Sequence, residues 1–208
     1  MKVGAVIVAA GSSVRFDGEV PKQFREVYGR PLLSWTISRF QQCERIGRIV
    51  VVVGEDYLIH VAEKVVDPYD FNKVMNIVKG GATRQESVYR GLSALSISTE
   101  YVAIHDGARP LVETADIDRV LDVAIRDRAA ILAEPIVDTV KRTAEGYVIA
   151  TLDRAGLYGA QTPQVFQYDL IMEAHKSLAN GEFESAPTDD AQLIEERGFK
   201  VRIVEPTG

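Results

Sequence analysis

The chain opens with Val3-Gly4-Ala5-Val6-Ile7-Val8-Ala9, an uninterrupted apolar run, and passes at once into Ala10-Gly11-Ser12-Ser13. A run of branched residues without polar alternation marks a parallel strand covered on both faces. Lys2 gives the stretch some likeness to a secretory signal. The run is short, however, holds Gly4 and leads directly into the Gly/Ser turn, so it reads as a buried strand. Residues 49–53 repeat the pattern, and 75–78, 101–104, 129–133 and 201–204 are further strand candidates. Helical spacing fills the intervals at 31–42, 84–95, 116–126, 168–179 and 190–197. Strand and helix therefore alternate.

That alternation predicts an α/β fold in three layers: a mostly parallel, twisted sheet with helices on both faces, built from right-handed crossovers. Ligands in such sheets bind beyond the carboxyl ends of the strands, so the loops 10–23, 80–87, 105–110 and 134–141 are expected to share one surface. Residues 138–161 break the alternation. Short extended pieces at 139–143 and 147–152 flank Glu145-Gly146, which predicts a protruding β-hairpin arm. No repeat, low-complexity tract or linker divides the chain, and 1–208 is expected to be a single domain.

Composition narrows the function. A formal net charge of −6 argues against a polyanionic partner, so nucleic acid is not expected, and any bound phosphate should be small and held by a few placed cations. Cys43 is the sole cysteine and there are three histidines, which leaves no internal disulfide and no zinc-ligand spacing. No apolar run approaches the ~20 residues that span a membrane. A cytoplasmic protein without a membrane partner is expected.

Several short motifs sit at predicted strand ends. Gly11-Ser12-Ser13-Val14-Arg15, followed by Pro21-Lys22-Gln23, is either an anion-binding mouth of backbone N–H groups and two cations or a tight turn with a solvated arginine and lysine. It has neither the G-x-G-x-x-G nor the G-x-x-x-x-G-K-[ST] spacing. In Gly80-Gly81-Ala82-Thr83-Arg84-Gln85-Glu86-Ser87 the glycines could let a base approach and Ser87 could bond its edge. Equally, Thr83 and Glu86 could form a capping box. His105-Asp106-Gly107-Ala108-Arg109-Pro110 puts a carboxylate and a cation at a strand end, as a metal or hydroxyl site or as an internal Asp106–Arg109 pair. His105 reads as a packed histidine rather than a base. On the arm, Thr139 and Arg154 could grip a second phosphate or simply pair across the ladder. Thr188-Asp189-Asp190 reads first as a helix cap. There is no G-x-S-x-G nucleophile signature.

Together and in this order, these motifs, with Asp138-Thr139-Val140-Lys141, Gln161-Thr162-Pro163-Gln164 and Thr188-Asp189, resemble the 2-C-methyl-D-erythritol 4-phosphate cytidylyltransferases of non-mevalonate isoprenoid synthesis. The resemblance spans almost the whole chain and implies a Rossmann-like nucleotidyltransferase fold and transfer of CMP from CTP to the polyol phosphate. Arg15 and Lys22 would be catalytic. Ala9, Ala10, Gly11, Ser12, Ser13, Gly80, Gly81, Ala82, Ser87 and Gly107 would hold the nucleotide, and Asp106, Arg109, Thr139 and Arg154 the acceptor. Mg2+ or another divalent cation would be held mainly by the triphosphate, with Asp106 a candidate ligand and no organic cofactor. A homodimer is implied, its arm reaching into the partner's site.

Two departures stand out. Ser13 replaces a glycine usual in the family, and the family's Asn-x-Lys-[Ile/Val]-Thr stretch, with its expected acceptor lysine, would fall beyond Gly208. A ribitol- or other polyol-phosphate cytidylyltransferase is the alternative, though Ala108 and the 138–141 run favour the methylerythritol branch. A catalytically inactive nucleotide-binding homologue is the rival from another class. The presence of both Arg15 and Lys22 argues against it.

Overall fold

The computed structural model describes residues 1–11, 20–183 and 185–207. Strand β1 (Val3–Ala9) is followed by a helical turn at Lys22–Phe24, a small ladder of β2 (Glu26–Val27) and β3 (Arg30–Pro31), and helix α1 (Leu32–Gln42). Strand β4 (Ile46–Val53) leads into a broken helical stretch that contains α2 (Leu58–Val61). Then come β5 (Val74–Lys79), α3 (Arg84–Ser93), β6 (Tyr101–Asp106), α4 (Thr114–Asp127) and β7 (Ala129–Pro135). The arm strands β8 (Lys141–Ala144) and β9 (Tyr147–Thr151) precede β10 (Tyr158–Gln167), α5 (Tyr168–Ala179), α6 (Asp190–Glu196) and β11 (Arg202–Val204).

Seven strands form one sheet in the order β11-β7-β10-β6-β1-β4-β5. Strand β1 pairs in parallel with β4 on one side and β6 on the other. Only β10 runs against its neighbours, β6 and β7. Alternate side chains of β1 point to opposite faces, as the two-residue period of a strand requires. Ala5 and Ile7 join Leu33, Ile37 and Phe40 of α1 and Ile117 and Leu121 of α4. Val6 joins Val88 and Leu92 of α3, Ile171 of α5 and Ile194 of α6. The three-layer α/β expectation is thus met, and the chain leaves β1 toward β4 in one direction and returns at β6 in the other. That junction is a topological switch point, where α/β sheets bind ligands.

One expectation needs correction, and one stretch was missed. Residues 158–161 belong to β10 and not to the arm; Pro163 within the run disguised a strand, because proline cannot donate to a central ladder. The ladder tolerates it through a break in register: Ala160 faces Ala133 and Gln164 faces Ile131, so residues 161–163 bulge opposite one residue of β7. The helical stretch after β4 also went unread. It is a succession of short turns, Glu55–Tyr57, α2, Ala62–Val66 and Asp67–Tyr69, with no sustained helical period. Among the described residues no helix is long and apolar enough to cross a membrane.

Candidate active site

Beyond the carboxyl ends of β1 and β6 lies a cleft of about 840 Å3. Its walls are residues 8–11 at the end of β1, Lys22 and Gln23, the start of α3 with Gly81, Arg84 and Ser87, the β6 end with Asp106 and Arg109, the β10 bulge, and Thr188-Asp189. Three of the four expected loops meet here. The fourth, 134–141, does not, because the antiparallel β10 separates β7 from β6 and its entry, residues 160–164, takes that place.

Gln23 ties the first loop to the strand before it. Its Nε2 donates to the carbonyls of Ala9 (2.8 Å) and Gly11 (3.1 Å). Its neighbour Phe24, 5 % exposed, stacks on Tyr57 with centroids 4.6 Å apart. The turn carrying Lys22 is therefore anchored on both flanks, by hydrogen bonds and by apolar packing. Arg15, Ser12 and Ser13 lie outside the described residues.

The second motif forms the cap that its sequence allows. Thr83 Oγ1 accepts from Glu86 N, and Glu86 Oε2 accepts from Ala82 N. Ser87 Oγ accepts from Gly81 N (3.0 Å) and donates to Thr83 O (2.9 Å), so this hydroxyl shapes the turn. Gly81, Ala82 and Ser87 border the cleft, whereas Gly80 and Gly107 lie behind its wall. Gly80 is required by close approach: a Cβ there would come within 2.4 Å of the Ala10 Cβ. Gly107 N bonds to Val8 O and Gly107 O accepts from Thr36, which continues the β1–β6 junction past the sheet.

Asp106 is at the floor, held from two sides. Arg109 Nε donates to Oδ2 at 3.0 Å, and Arg84 Nε reaches Oδ1 at 3.4 Å. The internal Asp106–Arg109 pair is thus real, and both residues still face the cleft. His105 is fully buried, with Nε2 on Arg109 O at 3.0 Å and Nδ1 without a partner among the described residues. Burial lowers its pKa from 6.5 to about 4 against the pull of the Arg109 carbonyl and Asp106, which leaves the ring neutral.

Sequence reasoning gave Arg84 and Asp190 no individual role. Arg84 Nη1 donates to Asp190 Oδ2 at 2.7 Å, across 106 positions of the chain. Asp190 is fully buried, and its other oxygen accepts from His175 Nε2 at 3.1 Å. Gln164 Oε1 accepts from the backbone N–H groups of Asp190 and Ala191, which joins β10 to α6. Asp189 caps α6 through Gln192 N, as its sequence position suggests.

Thr139 and Arg154 lie on the arm, outside the cleft of their own chain. Arg154 donates to Val137 O. The hairpin turns on Glu145 and Gly146, both at positive φ, and leaves Tyr147, Val148 and Ile149 exposed.

A group of three acidic, histidine or cysteine side chains placed for a metal is absent among the described residues. Among the described residues two carboxylates border the cleft: Asp189 is engaged by Gln192 N and Gln164 Nε2, while Asp106 suits Mg2+ when phosphate oxygens supply the remaining ligands. The donor set therefore suits a cation that arrives with a phosphate ligand.

The family model for 2-C-methyl-D-erythritol 4-phosphate cytidylyltransferase matches residues 3–207. The protein of that name from Caldanaerobacter subterraneus is 41% identical over 99% of this chain and 90% of its own. The one from Desulforamulus reducens is 46% identical over 97% and 86%. Among solved structures, the 4-diphosphocytidyl-2C-methyl-D-erythritol synthase of Anaerococcus prevotii superposes with a TM-score of 0.84 at 31% identity, covering 99% of this chain and 89% of that one. The Thermus thermophilus cytidylyltransferase gives 0.77 at 32%, covering 100% and 90%. With the match running from β1 to the residues after β11, the chain belongs to the 2-C-methyl-D-erythritol 4-phosphate cytidylyltransferase family.

Proposed function

We propose that the chain transfers CMP from CTP to 2-C-methyl-D-erythritol 4-phosphate and releases pyrophosphate. The observation that carries this reading is the cleft at the β1–β6 switch point, lined by Ala10, Gly11, Lys22 and the Asp106–Arg109 pair, in a chain of this family. A phosphate oxygen of the acceptor attacks the α-phosphorus of CTP in line, one P–O bond forms, and the bond to the β-phosphate oxygen breaks. Such chemistry needs placed charge and orientation rather than a protein nucleophile. Lys22 and Arg15 neutralise the charge that redistributes at the α-phosphorus. The neutral His105 holds the Arg109 backbone and takes no proton from the acceptor.

Asp106 would hold Mg2+ together with the triphosphate, and the cation would supply positive charge toward the departing pyrophosphate. Gly81, Ala82 and Ser87 form the wall for the base, and Asp106 and Arg109 face the acceptor. Thr139 and Arg154 serve the acceptor phosphate of a second subunit, which makes the working unit a homodimer. A buried, unpaired Cys43 and nucleotide substrates suit the reducing cytoplasm.

Pyrophosphate release with CTP and a panel of polyol phosphates tests the reading. Methylerythritol 4-phosphate should be the preferred acceptor and CTP should be preferred over UTP and ATP, since a site built to bond one base edge rejects mismatches. Ribitol phosphate as the better acceptor would move the chain to the other branch. Equal rates with ATP would abandon the base assignment.

A further inference from the structure

Arg84 occupies an awkward place for a cation. It is the first residue of α3, at the positive end of the helix, where a guanidinium is electrostatically disfavoured and an anion is welcome. It also borders the cleft that, on the reading above, takes a triphosphate. A free arginine there would bind that polyanion wherever its fork could reach. Instead it is tethered from behind. Asp190 is wholly buried on α6 and accepts from Arg84 Nη1 at 2.7 Å, while Asp106 takes Nε at 3.4 Å.

The tether is itself braced. An ionised carboxylate only accepts hydrogen bonds, so the 3.1 Å contact fixes the proton of His175 on Nε2, facing Asp190 Oδ1. Gln164 holds the backbone of Asp190 from β10. Burial alone would raise the Asp190 pKa, but the His175 hydrogen bond and the Arg84 charge outweigh it and hold the carboxyl below its ordinary value. Burial alone would likewise lower the Arg84 pKa, and the charges of Asp190 and Asp106 reverse that. Both partners are thus charged and nearly cancel.

We propose that Asp190 is a positioning residue that holds the Arg84 guanidinium against the cleft wall and keeps it off the nucleotide's phosphates. The α-phosphorus then stays where the charge of Lys22 meets it in the transition state, in the alignment that transfer requires. The inference rests on the CTP reading and makes an unusual demand: loss of a buried carboxylate should tighten ligand binding.

The test measures binding of CTP, and separately of inorganic tripolyphosphate, by calorimetry, together with kcat. In Asp190→Asn, Arg84 loses one of its two counter-charges and both ligands should bind roughly 3- to 10-fold tighter, the scale of one partly screened charge contact. Turnover should fall by about tenfold, because the extra contact forms in the ground state. A role confined to folding would weaken binding and lower kcat together, and that result, or unchanged affinity, overturns the proposal. Should Asp190→Asn not fold, the pair Arg84→Met/Asp190→Leu removes both charges and replaces them by apolar volume, which buried pairs often tolerate. There CTP should bind within about twofold of the parent. A loss of tenfold or more would make Arg84 a phosphate ligand and overturn the assignment. A parent chain that binds tripolyphosphate but not CTP would fail the base reading while leaving the role of Asp190 testable with the inorganic ligand. A parent that binds neither would overturn both.

Discussion

His105 sits on β6 one residue before Asp106 with its ring enclosed, and this placement lowers stability in acid. An unfolded histidine takes up a proton near pH 6.5, whereas the buried ring does so only near pH 4. Between those values the unfolded chain binds the extra proton, so unfolding becomes easier as pH falls, by about 3 kcal/mol across the window. Denaturant titrations at pH 7 and pH 4.5 should show a clear loss for the parent and a smaller one for His105→Asn; equal losses would mean that the ring is not buried neutral. Asp190, with its lowered pKa, acts in the same direction but only at more acidic pH, as its carboxyl gains a proton and the Arg84 contact is lost. Lys22→Ala and Arg15→Ala should each lower turnover by roughly 100-fold or more with little change in CTP affinity, since their charge matters most in the transition state. Near-normal kcat in both would remove the first loop from the chemistry. The position of Lys22, Asp106 and Arg109 at the cleft was legible in the sequence because ligand clefts of α/β sheets lie among the strand-end loops. The Arg84–Asp190 pair was not. It joins α3 to α6 across 106 positions, and no local pattern announces a partner that far away.

Helix α3 carries Arg84 and Ser87 into the cleft, so its seating on the sheet sets their positions. Gly91 makes that seating possible: a Cβ there would lie 2.4 Å from Val6 Cγ1 and 2.8 Å from Val52 Cγ2, both fully buried side chains. Alanine would gain about 1 kcal/mol of helix propensity over glycine. Overpacking of a tight core costs about 1–3 kcal/mol, and stiff valines cannot swing aside. Gly91→Ala should therefore lower the urea midpoint of unfolding despite being the better helix former. A raised midpoint would show that α3 is not pinned to β1 and β4 in this way. Propensity and packing also explain which elements were readable. Strand β1 and helix α5 follow their apolar patterns to the residue, since burial on both faces and a single apolar stripe each leave one signal. Strand β10 hid because Gln161-Thr162-Pro163-Gln164 is polar and holds a proline, and its place is set by the bulge, not by an apolar period. The turns after β4 hid because no one period lasts long enough among them to register.

The arm is where the single chain looks incomplete. Its two strands form a ladder apart from the main sheet, and a lone two-stranded hairpin is marginally stable in water. Yet it exposes Tyr147 at 77 % and Ile149 at 58 % on one face of β9 and Val148 at 61 % on the other, apolar side chains that another surface would cover. A two-fold partner would supply one, because an isologous contact uses the same patch twice. Thr139 and Arg154, outside the cleft of their own chain, would then be free to serve the other. Subunit exchange decides the matter. Lys22→Ala and Arg154→Ala chains, each inactive alone, are mixed after exchange has been verified. If Arg154 acts across the dimer, a mixed pair gathers both defects into one site and leaves the second site with an intact Lys22 and an intact Arg154. Random mixing makes half of the dimers mixed, each with one good site, so activity should return to about a quarter of the parent value. If Arg154 serves its own chain, every site in every dimer keeps one defect and no activity returns. Sedimentation adds an independent limit: a monomer at the assay concentration would leave Val148 and Ile149 uncovered and remove the shared site altogether.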